Sequence, residues 1–153
     1  PSELALKQYF NHASTDKLEI NGKMNEQTEA KLMIAVRTIR FRTLDVEIID
    51  DRSYRIFNEI VKKENTIDEV FLRFGNGLKD AKRMILDLAP MNKINVIALQ
   101  NNTGLFVDDE ILLHLVSCCT SLANLNCLHT TTTTTGLARA FEMVYTSQEN
   151  RTV

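Results

Sequence analysis

Five pairs of apolar residues, each split by one intervening residue, recur along this chain: Leu18/Ile20, Leu44/Val46, Val70/Leu72, Ile97/Leu99 and Leu125/Cys127. The steps between first members are 26, 26, 27 and 28 residues. A fixed period of this length constrains the fold more than composition does. Each period must be one supersecondary unit that buries its apolar face only by stacking on its neighbours. The apolar-x-apolar spacing is the alternation of a strand buried on one side.

Three places before each pair stand Thr15, Phe41, Ile67, Ile94 and Leu122, apolar in four of the five units. The fourth unit, with Ile94, Ile97, Leu99 and Asn102, fits the leucine-rich-repeat template including its asparagine. Lys23, Ile49, Gly75 and Thr130 occupy the asparagine position elsewhere, so the chain resembles a divergent, nematode-style repeat without a regular asparagine ladder. Between the pairs, apolar residues fall at helical offsets: Leu32 and Val36; Phe57, Ile60 and Val61; Ala81, Met84, Ile85 and Leu88; Ile111, Leu112, Leu115 and Val116. Lys62, Lys63, Lys79, Lys82 and Arg83 oppose these stripes, as on amphipathic helices. The expectation is an α/β, leucine-rich-repeat-like solenoid of about five strand–helix units with parallel strands, residues 1–153 forming a single repeat domain.

The ends extend the pattern. Pro1, Ser2 and Glu3 read as a helix start followed by Leu4, Leu6, Tyr9 and Phe10, and a sixth strand would begin near Arg151 to Val153. The expectation is therefore a piece of a longer solenoid. A composition of 44% hydrophobic and 25% charged residues is that of an ordinary globular domain. A net charge of −2 disfavours a dedicated nucleic-acid binder, which needs a basic face against phosphates. The longest apolar run, Ile111 to Val116, is broken by His114 and is too short to span a bilayer. Three cysteines, Cys118, Cys119 and Cys127, are an odd number, which favours a reducing intracellular compartment over a disulfide framework. The N-x-Thr triplets at Asn101 and Asn150 are of the kind that an Asn- and Thr-rich chain contains by chance.

Motifs that could carry chemistry are few. V-E-I-I-D-D-R-S, Val46 to Ser53, is similar to the first strand of a bacterial receiver domain, where Asp50 and Asp51 would help to hold Mg²⁺. A receiver-like or other small doubly wound domain is thus the alternative reading. The third strand counted from there, Ile94 to Asn102, ends Gln100-Asn101-Asn102 without a phospho-accepting Asp, and an Asp at a helix N-cap accounts for the pair directly. Asp108, Asp109 and Glu110 read as first-turn acids in the same way. His114, Cys118, Cys127 and His129 could form a zinc set, but they match no strong spacing template, and Cys127 and one of Cys118 and Cys119 read as core residues. Gly75-Asn76-Gly77 reads as a turn, and Thr130 to Thr135 as a loop before a last helix from Gly136 to Thr146. No catalytic residue, metal or cofactor is assigned.

The segments D-L-A-P-M-N-K-I, V-D-D-E-I-L-L-H-L-V and G-L-A-R-A-F-E-M-V-Y-T-S-Q-E-N-R-T-V, within residues 66–153, resemble the repeat region of nematode F-box proteins. The resemblance implies the substrate-recognition part of an F-box subunit of a cullin-RING ubiquitin ligase. Docking to the Skp1 adaptor and cullin would then use regions outside this chain. Strand alternation names the candidate partner-binding residues of the concave face: Glu19, Asn21, Asp45, Glu47, Phe71, Arg73, Gln100 and Asn126, with Ala98 and Leu128 beside them. A partner with a basic segment against the acids and an apolar anchor on an exposed Phe71 is expected, since aromatic residues and Arg are common hot spots.

Overall fold

The pairs that set the period in sequence become lateral neighbours in space. In the computed structural model Leu18, Leu44, Val70, Ile97 and Leu125 stand side by side across the sheet, as do Ile20, Val46, Leu72, Leu99 and Cys127. The structure describes residues 17–37, 40–63, 66–75, 78–101, 107–127 and 130–149. In chain order the elements are β1 (Lys17–Ile20), α1 (Glu26–Val36), β2 (Thr43–Ile48), α2 (Asp51–Lys63), β3 (Glu69–Phe74), α3 (Ala81–Leu86), β4 (Val96–Asn101), α4 (Asp109–Cys118), β5 (Asn124–Cys127) and α5 (Thr134–Glu149). The fold is α/β: five parallel strands in the order β1-β2-β3-β4-β5 alternate with helices. The sheet does not curl. The expected helix over Pro1–Phe10 and the readings at Thr15, Asn76–Gly77, Asn102, Leu128, His129 and Arg151–Val153 lie outside the described residues.

Crossovers that always advance in one direction, with the right-handed sense parallel connections adopt, lay the helices on one face of the sheet. Contacts α1 to α2, α3 to α4 and α4 to α5 agree with a single helical layer. Against it lie the inward strand residues Leu18, Ile20, Leu44, Val46, Ile48, Val70, Leu72, Phe74, Ile97 and Leu99, all buried. They meet Leu32 and Val36 of α1, Ile56, Phe57 and Ile60 of α2, Met84 and Ile85 of α3, and Ile111 and Leu115 of α4 in one apolar cluster. The residues three before each pair, Phe41, Ile67, Ile94 and Leu122, are buried in it too. Full burial of a side chain of this size contributes about 1.5–3 kcal/mol relative to exposure, so the repeated pattern is the principal source of stability.

Helix starts follow from the residues that precede them. The Asn25 side chain accepts the Thr28 N–H at 2.8 Å, and Asp108 accepts that of Ile111 at 2.9 Å. Before α2, Asp50 accepts the Ser53 N–H at 2.9 Å, while the Ser53 hydroxyl oxygen accepts the N–H groups of Ile49 and Asp50 at 2.9 and 3.2 Å. This is a reciprocal capping box with Ser in the third helical position. At Gly22, where the chain leaves β1, φ is 80°, a left-handed conformation that a Cβ disfavours.

Three local expectations are corrected. Leu88 is buried but lies beyond α3, which ends at Leu86 with Asp87 as its C-cap. The fourth strand begins at Val96, because Ile94 turns back onto Met91 through its N–H at 3.2 Å. The threonine run is a loop only as far as Thr133. Thr134 and Thr135 are helical, because the Thr133 hydroxyl caps α5 by accepting the Gly136 N–H at 3.0 Å.

Candidate functional site

The face of the sheet opposite the helices carries the alternate strand residues. Asp45 lies beside Glu19 and Phe71 in register, Ala98 beside Phe71 and Asn126, and Arg73 beside Glu47 and Gln100. A step of one unit along the chain thus becomes one strand of lateral distance.

Arg73 gathers most of the predicted residues. Its Nε donates to Asp45 Oδ1 at 2.9 Å, and its terminal nitrogens lie 3.6 Å from Glu47 Oε2 and 3.8 Å from Glu19 Oε1. It also donates to the Asn21 side-chain oxygen Oδ1, and the Asn21 side-chain Nδ2 donates to Glu19 Oε1 at 3.0 Å. Asp45 is the buried member, with a side chain only 12% exposed. Its second oxygen is 3.5 Å from Lys17 Nζ. The three acids are therefore not an open acidic patch. They surround a guanidinium whose planar fork suits several carboxylates at once.

Phe71 departs from expectation. It is half-buried rather than fully exposed, and Lys17 Nζ stands 5.5 Å from its ring centroid, within cation–π range. Lys17 was not among the predicted residues. Its signal was its parity, two residues before Glu19 on the same strand. Glu69 and Thr43 share that parity, with the Thr43 hydroxyl 3.4 Å from the Glu69 carboxylate. Gln100 and Asn126 are exposed toward the other side of this face, and Ala98 is buried. The structure thus brings together Glu19, Asn21, Asp45, Glu47 and Arg73, with Lys17 and Phe71 adjoining. Gln100 and Asn126 stand apart on β4 and β5.

The other motifs resolve into structural roles. Asp50 is committed to the capping box, and Asp51 is exposed, 3.9 Å from Arg83. The strand order does not reverse among the described strands, whereas a doubly wound sheet binds ligands at such a reversal. Asp108 and Glu110 hold Lys82 of α3 at 2.7 and 3.1 Å. Hydrogen bonds that Lys82 donates to both carboxylates raise its ammonium pKa above the ordinary value. Burial pushes the Asp108 carboxyl up, but the Lys82 ammonium and the Ile111 N–H outweigh it and hold it below the ordinary value.

Cys118 Sγ lies 3.2 Å from His114 Nε2 and 3.6 Å from the Leu88 carbonyl oxygen. Burial raises the Cys118 thiol, which keeps it protonated rather than activated. Both adjacent cysteines are buried, not one of the two. Among the described residues no three His, Cys, Asp or Glu side chains converge as metal ligands, and no helix is long and apolar enough to cross a membrane. No protein-family model matches the chain, and no curated protein matches it significantly in sequence.

Proposed function

We propose that this chain is a non-enzymatic protein–protein interaction module, a leucine-rich-repeat-like solenoid whose open sheet face selects a protein partner. The observation that carries the reading is that face. Five parallel strands in sequence order present Glu19, Asn21, Asp45, Glu47, Phe71, Arg73, Gln100 and Asn126 on the side away from the helices. The first three units contribute side chains at the same two positions, an arrangement suited to reading an extended protein surface. Three carboxylates around Arg73 and Lys17 leave the β1–β3 end with an excess negative charge, which a basic segment of the partner complements. The half-buried Phe71 ring beside it supplies apolar contact.

Within the F-box resemblance the module is the substrate-recognition part of a cullin-RING ubiquitin ligase. Recruitment of the Skp1 adaptor and cullin belongs to regions outside this chain. The reading includes a reducing intracellular compartment, supported by three cysteines that are all free thiols.

The test is affinity capture from a cell extract with the wild-type chain and with a Glu47→Lys/Phe71→Ala variant shown by circular dichroism to be folded. A partner confirmed by direct binding to the wild type and lost from the variant supports the open face as the recognition surface. Equal binding to both overturns it. Capture with the longer parent protein separates the ligase reading from the module reading. If the parent brings down no Skp1 adaptor, the ligase assignment fails while the module assignment stands.

A further inference from the structure

One cation on the open sheet face rests on groups that it satisfies poorly. Lys17 belongs to β1 and Phe71 to β3, with β2 between them. Neighbouring strands are about 4.8 Å apart, so the Lys17 side chain must cross β2 to bring its ammonium within 5.5 Å of the Phe71 ring centroid. Its other contact is Asp45 Oδ2, on the strand that it crosses, at 3.5 Å. Both distances are long. Charge-assisted hydrogen bonds from nitrogen to a carboxylate close to about 2.7–2.9 Å, and cation–π attraction fades beyond about 6 Å. The other oxygen of the same carboxylate shows the tighter geometry, with Arg73 Nε donating to Asp45 Oδ1 at 2.9 Å.

The two sides of this contact differ in rigidity. Asp45 is 12% exposed and oriented by Arg73, and the Phe71 ring is half-buried beside it in register. Lys17 is 45% exposed on a long flexible stem. The ring and carboxylate are therefore preorganised, while the cation is exchangeable, since an exposed ion pair contributes little. The face also has charge to spare. Among its described strand residues, Glu19, Asp45, Glu47 and Glu69 face only Lys17 and Arg73 as cations. Glu69 stands two residues before Phe71 on the same strand, which sets a further carboxylate near the ring.

We propose that Phe71 and Asp45 form the seat for an arginine side chain of the protein partner, and that Lys17 is the internal cation which this arginine displaces. The inference rests on the open face being the recognition surface, and it names the residue type that the face selects. A guanidinium suits the seat better than an ammonium does. It is planar and weakly hydrated, so it stacks on the ring while an N–H at its edge reaches Asp45 Oδ2. Lys17 then swings out to the solvent that already reaches its side chain. In the absence of the partner it keeps the second oxygen of a largely buried carboxylate paired, which an empty seat would not.

The test titrates the tripeptide acetyl-Gly-Arg-Gly-amide into the intact chain, with the uncharged citrulline tripeptide as its partner experiment, and follows both by NMR. The proposal expects saturable shifts at the Phe71 ring and around Asp45 with the arginine peptide alone. The Lys17 Hε protons should lose their ring-current shift in step, because the ammonium leaves the ring. Lys17→Ala should bind the arginine peptide about threefold more tightly, the order expected for releasing a solvent-exposed ion pair. Phe71→Leu should bind it about threefold more weakly. Lys62→Ala, which removes an equal charge from an exposed position on α2, should leave binding unchanged. No saturable shift, equal binding of the citrulline peptide, or Lys17→Ala binding no more tightly than the wild type overturns the proposal. A captured partner that needs Glu47 and Phe71 but binds Lys17→Ala no more tightly also overturns it, and leaves the interaction-module reading intact.

Discussion

Replacing Arg73 with Met keeps most of the apolar stem and removes the guanidinium, so the loss reports the charge cluster. The magnitude is bracketed by two limits. Exposed ion pairs contribute about 0.2–1 kcal/mol, whereas breaking a buried pair costs about 3–5 kcal/mol. Arg73 is 28% exposed and Asp45 12%, at an Nε–Oδ1 distance of 2.9 Å, so this pair lies between them. Lys17 remains 3.5 Å from Asp45 after the change but is itself 45% exposed and screened by solvent. Arg73→Met is expected to destabilise the fold by about 2 kcal/mol, equivalent to about 4–8 °C in Tm for a chain of this size. Asp45→Asn in the same background should recover part of that loss, giving a coupling of about 1 kcal/mol in the double-variant cycle. Urea unfolding measures all four proteins, and an unchanged slope certifies that the shift in midpoint is a change in stability. The deficit should shrink in 1 M salt, where the screening length is about 3 Å. A loss below about 0.5 kcal/mol with no coupling would show that the Arg73 cluster is a solvated surface feature and refute the bracketing.

Three further outcomes are expected. Ser53→Ala leaves the Ile49 and Asp50 N–H groups without their acceptor at a position only 4% exposed, costing about 1–2 kcal/mol by chemical denaturation. Gly136→Ala would drive a Cβ into the Asp109 carboxylate, displacing a group that holds the Thr133 N–H at 2.7 Å and its hydroxyl at 2.6 Å. The substitution should destabilise α5 by about 1–2 kcal/mol, and Asp109→Ala in the same chain should cost less than the sum of the two, as thermal melts of the pair will report. Burial pushes the Cys119 thiol from 9.0 up to about 12, so the folded state holds this proton more tightly than the unfolded one. The associated stability is present below about pH 9 and declines as pH rises toward 12, and iodoacetamide at pH 8.5 should label Cys119 only after denaturant is added.

The repeat was legible because one physical requirement recurs in every unit. Leu72 and Leu99 need a lateral apolar neighbour, and a period of 26–28 residues supplies Val46, Leu72, Leu99 and Cys127 in turn. Parity along each strand also gave which side chains share the sheet face away from the helices. It did not give their pairing. Arg73 reaches Asp45 diagonally, 28 residues away, and Asn21 at 52, distances at which charge pairing depends on register and rotamer rather than on spacing. Phe71 read as exposed because strand alternation ignores what a neighbouring strand lays over a ring, here the Lys17 side chain. The early start of α5 was hidden for a similar reason. β-branching argues against helix at Thr134 and Thr135, but the cap at Thr133 is fixed by Asp109, 24 residues earlier.

The strand order has a consequence for how the molecule opens. Every strand bonds only to those before and after it, so among the described strands β3 is the sole lateral link between β1–β2 and β4–β5. Opening at β5 leaves a four-stranded sheet, whereas opening at β3 leaves two isolated ribbons, each marginal without the other. Backbone amides should therefore exchange with solvent most slowly at Val70 and Leu72 and progressively faster toward both edges. The centre behaves as a keystone and the ends as tiles that can be shed singly.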